Sequence, residues 1–132
     1  QHGRRLLLVP APGEQHTFGL FIVTDFFARA GWDVWGGPSA PGAATVRLVR
    51  DEWFDVVGLS VGCETRLEGL TADIRAIRSA SRNVAVGVMV GGPMFVARPE
   101  YALLVGADAT AADGRNAVRE ADLLAARIAE RR

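Results

Sequence analysis

The chain has 132 residues, of which 49% are hydrophobic and 23% charged, and this composition predicts one globular domain over residues 1–132. Fifteen acidic and fifteen basic residues leave a formal net charge of zero, so we expect no direct nucleic-acid binding by this domain. All fifteen basic residues are arginine, which excludes a Schiff-base lysine, a phosphate-loop lysine and the lysine of phospho-receiver domains.

The single cysteine and the apolar runs bear on the cellular setting. Cys63 cannot form an internal disulfide, and no apolar run approaches membrane-spanning length. We therefore expect a cytoplasmic domain without a membrane partner. Because the chain begins with glutamine and carries no signal-peptide pattern, we also expect it to be a fragment of a longer chain.

Short apolar runs and amphipathic segments alternate five times along the chain. The predicted strands cover residues 4–9, 32–35, 54–61, 84–90 and 107–110. The predicted helices cover residues 18–30, 43–53, 65–80, 97–105 and 116–132. This alternation predicts an α/β fold: a flavodoxin-like (Rossmann-type), doubly wound, five-stranded parallel sheet with strand order 2-1-3-4-5.

A polar segment, residues 13–19, separates the first predicted strand from the first predicted helix and contains His16. His16 therefore follows the carboxyl end of a strand, and in open α/β sheets that edge is where ligands bind. The position makes His16 a candidate functional residue. A histidine that caps backbone groups at a helix start is the structural alternative.

Successive strand residues point to opposite faces of a sheet. The third and fourth predicted strands therefore each have one face made mostly of glycine and other small residues. Those faces carry Gly58, Ser60 and Gly62, and Ala85, Gly87, Met89 and Gly91. The opposite faces carry Val57, Leu59 and Val61, and Val84, Val86, Val88 and Val90. Glycine inside a strand marks the close approach of a backbone or a ligand. The pattern leaves open a ligand channel and a tightly packed helix.

The chemistry of His16 favours a caged metal over the other sites we considered. The chain has no GxGxxG loop and no Walker loop, and Ser60 stands where a phospho-receiver needs an aspartate. Ser60, His16 and Glu14 are also the residue types of a hydrolytic triad, but Ser60 lies in no nucleophile-elbow sequence. The same residues suit a metal ligand whose imidazole is oriented by a carboxylate. One histidine holds a bare ion poorly, whereas a metal in a macrocycle needs one axial ligand.

Three short motifs carry a family resemblance: Glu14-Gln15-His16-Thr17-Phe18-Gly19, Ser60-Val61-Gly62 and Gly91-Gly92. They resemble the Asp-x-His-x-x-Gly, Ser-x-Leu and Gly-Gly signature of the cobalamin-binding domains of methionine synthase and methylmalonyl-CoA mutase. The resemblance implies bound cobalamin, with His16 as the lower cobalt ligand and Glu14 and Ser60 hydrogen-bonded around it. It also implies that the nucleotide tail passes Gly19, Gly62, Gly91 and Gly92. Two departures are Glu14 in place of aspartate and Gly62 in place of leucine or threonine.

The residues of these motifs are also similar to those of bacterial cobalamin-dependent photoreceptor regulators, in particular to antirepressors of photosynthesis genes in purple bacteria. This similarity implies a non-enzymatic sensory domain that controls transcription through a protein partner such as a repressor, including in response to light. Three alternatives stay open: haem binding through His16, the corrinoid domain of a methyltransferase or mutase, and an interaction module without cofactor. For Trp32, Trp35 and Trp53 we expect packing roles.

Overall fold

A computed structural model of the chain describes residues 3–9, 17–36, 42–61, 67–111 and 113–130, with the side chains of residues 17–21, 129 and 130 outside the description. The described residues form a five-stranded sheet in the order β2-β1-β3-β4-β5, and every pairing is parallel. The predicted fold and strand order are confirmed. No helix among the described ranges has the length and apolar character needed to cross a membrane.

The observed elements lie close to the predicted ones. The strands are β1 (Arg5–Val9), β2 (Asp33–Gly36), β3 (Val56–Ser60), β4 (Gly87–Gly91) and β5 (Ala109–Thr110). The helices are α1 (Thr17–Arg29), α2 (Ala43–Asp51), α3 (Leu67–Ala80), α4 (Pro93–Ala97), α5 (Tyr101–Leu104) and α6 (Gly114–Glu130).

Helices cover both faces of the sheet, and each face has its own apolar cluster. The α1–α6 face joins Leu6, Leu8, Val56 and Met89 to Phe27 of α1 and to Ala121, Leu124 and Ala125 of α6. The α2–α3 face joins Leu7, Val9, Val57, Leu59, Val88 and Val90 to Val49 of α2, to Leu70, Ile74 and Ile77 of α3, and to Phe95 and Ala102 beyond β4. Strands buried on both faces in this way explain the nearly continuous apolar runs of the sequence.

The predicted start of the fourth strand is wrong by three residues. Val84 was predicted on a buried strand face, but it is 94% exposed and lies outside β4. Asn83 holds the chain in a turn here: its side-chain oxygen accepts a hydrogen bond from the Ala85 N–H, and its amide nitrogen donates to the Phe54 carbonyl. Such asparagine turns compete with a strand ladder.

The predicted helix over residues 97–105 is also wrong, because two short helices, α4 and α5, replace it. Pro99 separates them, and Arg98, which precedes the proline, has φ −135° and ψ 76°, outside the helical region. Helix α6 begins two residues earlier than predicted, where the Asp113 carboxylate accepts a hydrogen bond from the Asn116 N–H.

Two of the three tryptophans have the expected packing roles. Trp32 is buried against Phe27, and its indole N–H donates to Asp122 at 2.9 Å. Trp35 packs edge-on against Phe54, at 5.5 Å between ring centroids, beneath the guanidinium of Arg5.

Candidate functional site

The ends of β3 and β4 form the described centre of the predicted site. Ser60 pairs with Gly91 in the parallel register, and the Val61 N–H donates to the Gly91 carbonyl at 2.8 Å. The structure therefore brings Ser60 and Gly91, which are thirty-one positions apart in sequence, to the same point on the carboxyl edge of the sheet.

Gly91 faces the α1–α6 side of the sheet, where none of the described residues fills the space above it. Among the described residues, a Cβ atom built on Gly91 meets no heavy atom within 4 Å, and both Gly91 and Ser60 are only partly buried. This gap has the character expected of a place where a ligand lies against a strand. Helix α1, which covers this face, begins at Thr17, the last of the polar residues that follow β1.

Gly92 is needed for a different reason. Its φ is +129°, in the region that favours glycine, and a Cβ there would overlap the carbonyl oxygen of Val61. The close neighbour of Gly92 is thus the protein's own backbone. Gly92 lets the ends of β3 and β4 meet and lets α4 begin directly after β4, with Pro93 in its first turn.

The space over the glycines nearer the amino end of this face is filled by the protein's own side chains. A Cβ on Gly87 would lie 3.4 Å from Cδ1 of Leu124 in α6 and 3.4 Å from Cγ2 of Val56. A Cβ on Gly58 would lie 3.0 Å from Cδ2 of Leu8. Of the two explanations for the glycine-bearing face, helix and side-chain packing therefore applies at Gly58 and Gly87.

Thr110 lies at the carboxyl end of β5 and belongs to none of the three sequence motifs. It ends β5 beside Val90, and its hydroxyl oxygen is the buried side-chain polar atom that lacks a hydrogen-bond partner within the described residues. Burying a hydroxyl without a partner costs free energy. Thr110 pairs with Val90 of the α2–α3 cluster, so it lies on the opposite face of the sheet from Gly91. A hydroxyl residue at the last position of a strand was the available signal.

The predicted metal ligand lies outside the described residues. Glu14, Gln15, His16 and Gly62 are not described, and of Thr17, Phe18 and Gly19 only the backbone is, as the first turn of α1. Among the described side chains no group of three or more His, Cys, Asp or Glu could hold a metal ion. The roles of His16 and Glu14 stay predictions.

The amino edge of the sheet, unlike the described part of the carboxyl edge, carries charged side chains that pair with each other. Asp108 accepts a hydrogen bond from the Val88 N–H at 2.8 Å and pairs with Arg78 at 2.9 Å, and Arg78 also donates to the carbonyls of Val86 and Gly106. A cavity of about 250 Å³ beside Arg78 and Asp108 lies at this edge, away from Ser60 and Gly91. Charged groups at the amino edge thus hold strands and helices together.

One described carboxyl group has a shifted pKa, and it lies away from the carboxyl edge. Burial raises the pKa of the Asp73 carboxyl above its ordinary value. Asp73 lies in the middle of α3 on the α2–α3 face, so the shift has no part in the chemistry of the carboxyl edge.

Comparison with known proteins identifies a matching family and a curated relative. The B12 binding domain family model matches residues 4–122. A curated relative from Rhodobacter capsulatus, described as an uncharacterized 20.5 kDa protein in the bchF-crtJ intergenic region, is 32% identical over 108 residues. That match covers 81% of this chain and 55% of the relative, so the chain spans little more than half of the relative's length.

Solved structures share the fold at low sequence identity. A novel cobalamin-binding protein from Desulfitobacterium hafniense superposes with a TM-score of 0.74 at 18% identity, covering 93% of this chain and 60% of that one. The receiver domain of a sensor histidine kinase from Pseudomonas aeruginosa superposes with a TM-score of 0.68 at 16% identity, covering 94% and 98%. At these identities the likeness establishes the fold and leaves the ligand to the site.

Proposed function

Because the chain belongs to the B12-binding domain family, we propose that it binds cobalamin at the carboxyl edge of its sheet and acts as a sensory domain. The observation that carries the proposal is a contrast along the α1–α6 face. Side chains fill the space over the glycines near the amino end, whereas none of the described residues fills the space over Gly91 at the carboxyl end.

Four motif residues have proposed roles toward the cofactor. His16 is the lower ligand of the cobalt, Glu14 and Ser60 are hydrogen-bonded around that imidazole, and Gly91 leaves room for the nucleotide tail. Cobalamin held by these residues would supply a cobalt centre that responds to chemical state or light. A carboxylate bonded to the second ring nitrogen selects the tautomer and makes the imidazole a stronger donor.

The proposed output is regulatory and non-enzymatic. The domain changes the behaviour of a protein partner, such as a transcriptional repressor, according to the cofactor state, and it does not itself contact nucleic acid. Two observations support this: the motif similarity to photosynthesis-gene antirepressors, and the relative encoded in the bchF-crtJ intergenic region, which is compatible with such a role. Equal numbers of acidic and basic residues disfavour direct DNA binding.

Equilibrium dialysis of the purified chain against hydroxocobalamin and, separately, haemin tests the cofactor. We expect retention of one cobalamin per chain and a shifted absorbance spectrum. Retention of haemin without cobalamin would assign the site to haem, and retention of neither would favour an interaction module without cofactor.

Substitution of the two histidines tests the cobalt ligand. His16→Ala should shift the spectrum of bound cobalamin toward the form without a nitrogen ligand, and His2→Ala, the matched control, should leave it unchanged. In wild type, acid should displace the imidazole, because protonation competes with the metal, and this transition should vanish in His16→Ala. Glu14→Gln should keep the ligand with about 10–100-fold weaker affinity. An unchanged spectrum in His16→Ala would contradict the ligand role.

Hydrogen exchange tests the regulatory part. Because α4 begins directly after Gly92, we expect the exchange rates of residues 93–104 to differ between the free chain and the chain loaded with adenosylcobalamin in the dark. Illumination of the loaded chain should move those rates toward the free values. Rates that are the same in all three states would contradict a signal that leaves the site through α4.

A further inference from the structure

Helices α4 and α5 carry the densest group of exposed apolar side chains in the described part of the chain. Seven large apolar side chains are exposed among all the described residues. Three of the seven fall within nine consecutive residues of α4 and α5: Val96 at 56%, Leu103 at 78% and Leu104 at 66%. Single exposed apolar residues are normal on a protein surface, but a group of this kind marks an interaction site.

Helices α4 and α5 follow each other directly and pack one side against the protein. The Arg98 N–H donates to the Met94 carbonyl and the Tyr101 N–H to the Arg98 carbonyl, so the turns continue from α4 into α5. The inner side buries Phe95 and Ala102 in the cluster of the α2–α3 face. Val96, Leu103 and Leu104 lie outside that cluster and are exposed to solvent in the single chain.

The charges beside these side chains suit a second copy of the same chain. Arg98 and Glu100 lie between the two helices with side chains 63% and 59% exposed, and their closest N–O distance is 3.9 Å, at the limit of an ion pair. A two-fold interface uses the same surface on both copies, so a surface with one cation and one anion complements itself. A surface of one sign would repel its own copy.

We propose that two copies of this chain associate through the α4–α5 surface, defined as the outer sides of residues 93–104, about a two-fold axis. Val96, Leu103 and Leu104 of the two copies pack together, and Arg98 of each faces Glu100 of the other. Twelve residues per copy is fewer than the 20–30 of a standard interface, so the dimer is weak and its population depends on concentration. This inference goes beyond the proposed function and needs no bound cofactor.

Sedimentation of the 132-residue chain without cofactor, from about 1 µM to about 1 mM, tests the association. Wild type should shift from monomer to dimer across this range. Leu103→Arg should raise the dissociation constant about tenfold or more. Leu123→Arg, on α6 and 51% exposed in wild type, is the matched control and should sediment as wild type does. A wild type that stays monomeric throughout, or an equal loss in both variants, would overturn the proposal.

Charge exchange tests the two-fold geometry and leaves the apolar residues intact. In an Arg98→Glu dimer each contact between copies joins two carboxylates, and in a Glu100→Arg dimer each joins two guanidiniums, so each variant alone should dimerise more weakly than wild type. A one-to-one mixture should restore the dimer, because each contact in a mixed pair joins opposite charges. Failure of the mixture to associate better than either variant would overturn the proposed pairing, and thermal unfolding of both variants checks that they are folded.

Discussion

The two ends of the α1–α6 face have the same sparse sequence pattern and different surroundings. Near the amino end, Leu8 fills the space over Gly58, and Leu124 of α6 lies against Gly87. At the carboxyl end, Gly91 lies on the same face two residues beyond Met89, and a Cβ built there meets no atom of the described part of the chain within 4 Å. The glycines at one end serve packing, and Gly91 at the other end leaves a surface for a ligand.

This difference shows that a glycine-bearing strand face can combine two roles within one strand. Gly87 and Gly91 are both in β4 and point the same way. Helix α6 passes over the first, where Leu124 belongs to the buried cluster, and does not reach the second. Substitutions at these glycines separate the two roles, because packing appears in stability without cofactor and the ligand surface appears in binding.

The largest expected loss of stability is at Gly92, whose contact with Val61 limits how far the open surface over Gly91 extends. Gly92→Ala should lower the free energy of unfolding by about 3 kcal/mol, because its Cβ overlaps the Val61 carbonyl and its φ of +129° is strained for alanine. Urea denaturation without cofactor measures this. A loss below about 0.5 kcal/mol would mean that the ends of β3 and β4 separate easily and that the open surface includes Gly92.

Gly87→Val should have the next largest effect on stability. The added methyl groups have no room between Leu124 and Val56, and such overpacking costs about 1–3 kcal/mol. Urea denaturation of the chain without cofactor is again the measurement. If Gly87→Val were as stable as wild type but bound cobalamin poorly, the ligand channel would extend to the amino end and the comparison would break.

Gly91→Val should weaken cobalamin binding at least about tenfold, or about 1.4 kcal/mol, because the side chain enters the open space beside Ser60. Its free energy of unfolding without cofactor should stay within about 0.5 kcal/mol of wild type. Equilibrium dialysis and urea denaturation of the same preparation give both values. A large stability loss with normal binding would show that Gly91 serves packing like Gly87.

The smallest expected effect comes from one methyl group at each end of the face. Gly91→Ala should raise the free energy of unfolding without cofactor by about 0.4–1 kcal/mol. Alanine restricts the unfolded chain, and its Cβ would contact no atom of the described residues. Gly58→Ala should gain less, because its Cβ would lie 3.0 Å from Leu8 in a buried cluster. Thermal unfolding of the pair under one condition measures the difference, and equal shifts would argue against it.

The sequence predicted the sheet well because its strands are buried on both faces. Continuous apolar runs such as Val56–Ser60, separated by amphipathic segments, allow few other arrangements. The errors fall where local interactions prevail over the apolar pattern. Asn83 keeps Val84 out of β4, and Pro99 divides the predicted fourth helix in two.

The candidate site was predictable in part. The pairing of Ser60 with Gly91 follows from strand order, since the carboxyl ends of neighbouring parallel strands meet at one edge. Thr110 was not predicted, because the lack of a partner for a hydroxyl depends on every atom around it and not on its own sequence neighbours.

The sequence by itself determined the fold class, the strand order and the edge at which the motif residues meet, because these follow from the spacing of apolar residues and the handedness of parallel crossovers. Only the tertiary structure decided which glycines serve packing and which one faces open space. The space over Gly87 is taken by Leu124, thirty-seven positions along the chain, and no residue in the described ranges takes the space over Gly91. Both results follow from the path of α6 across the sheet, and the alternation of residues within β4 does not predict that path.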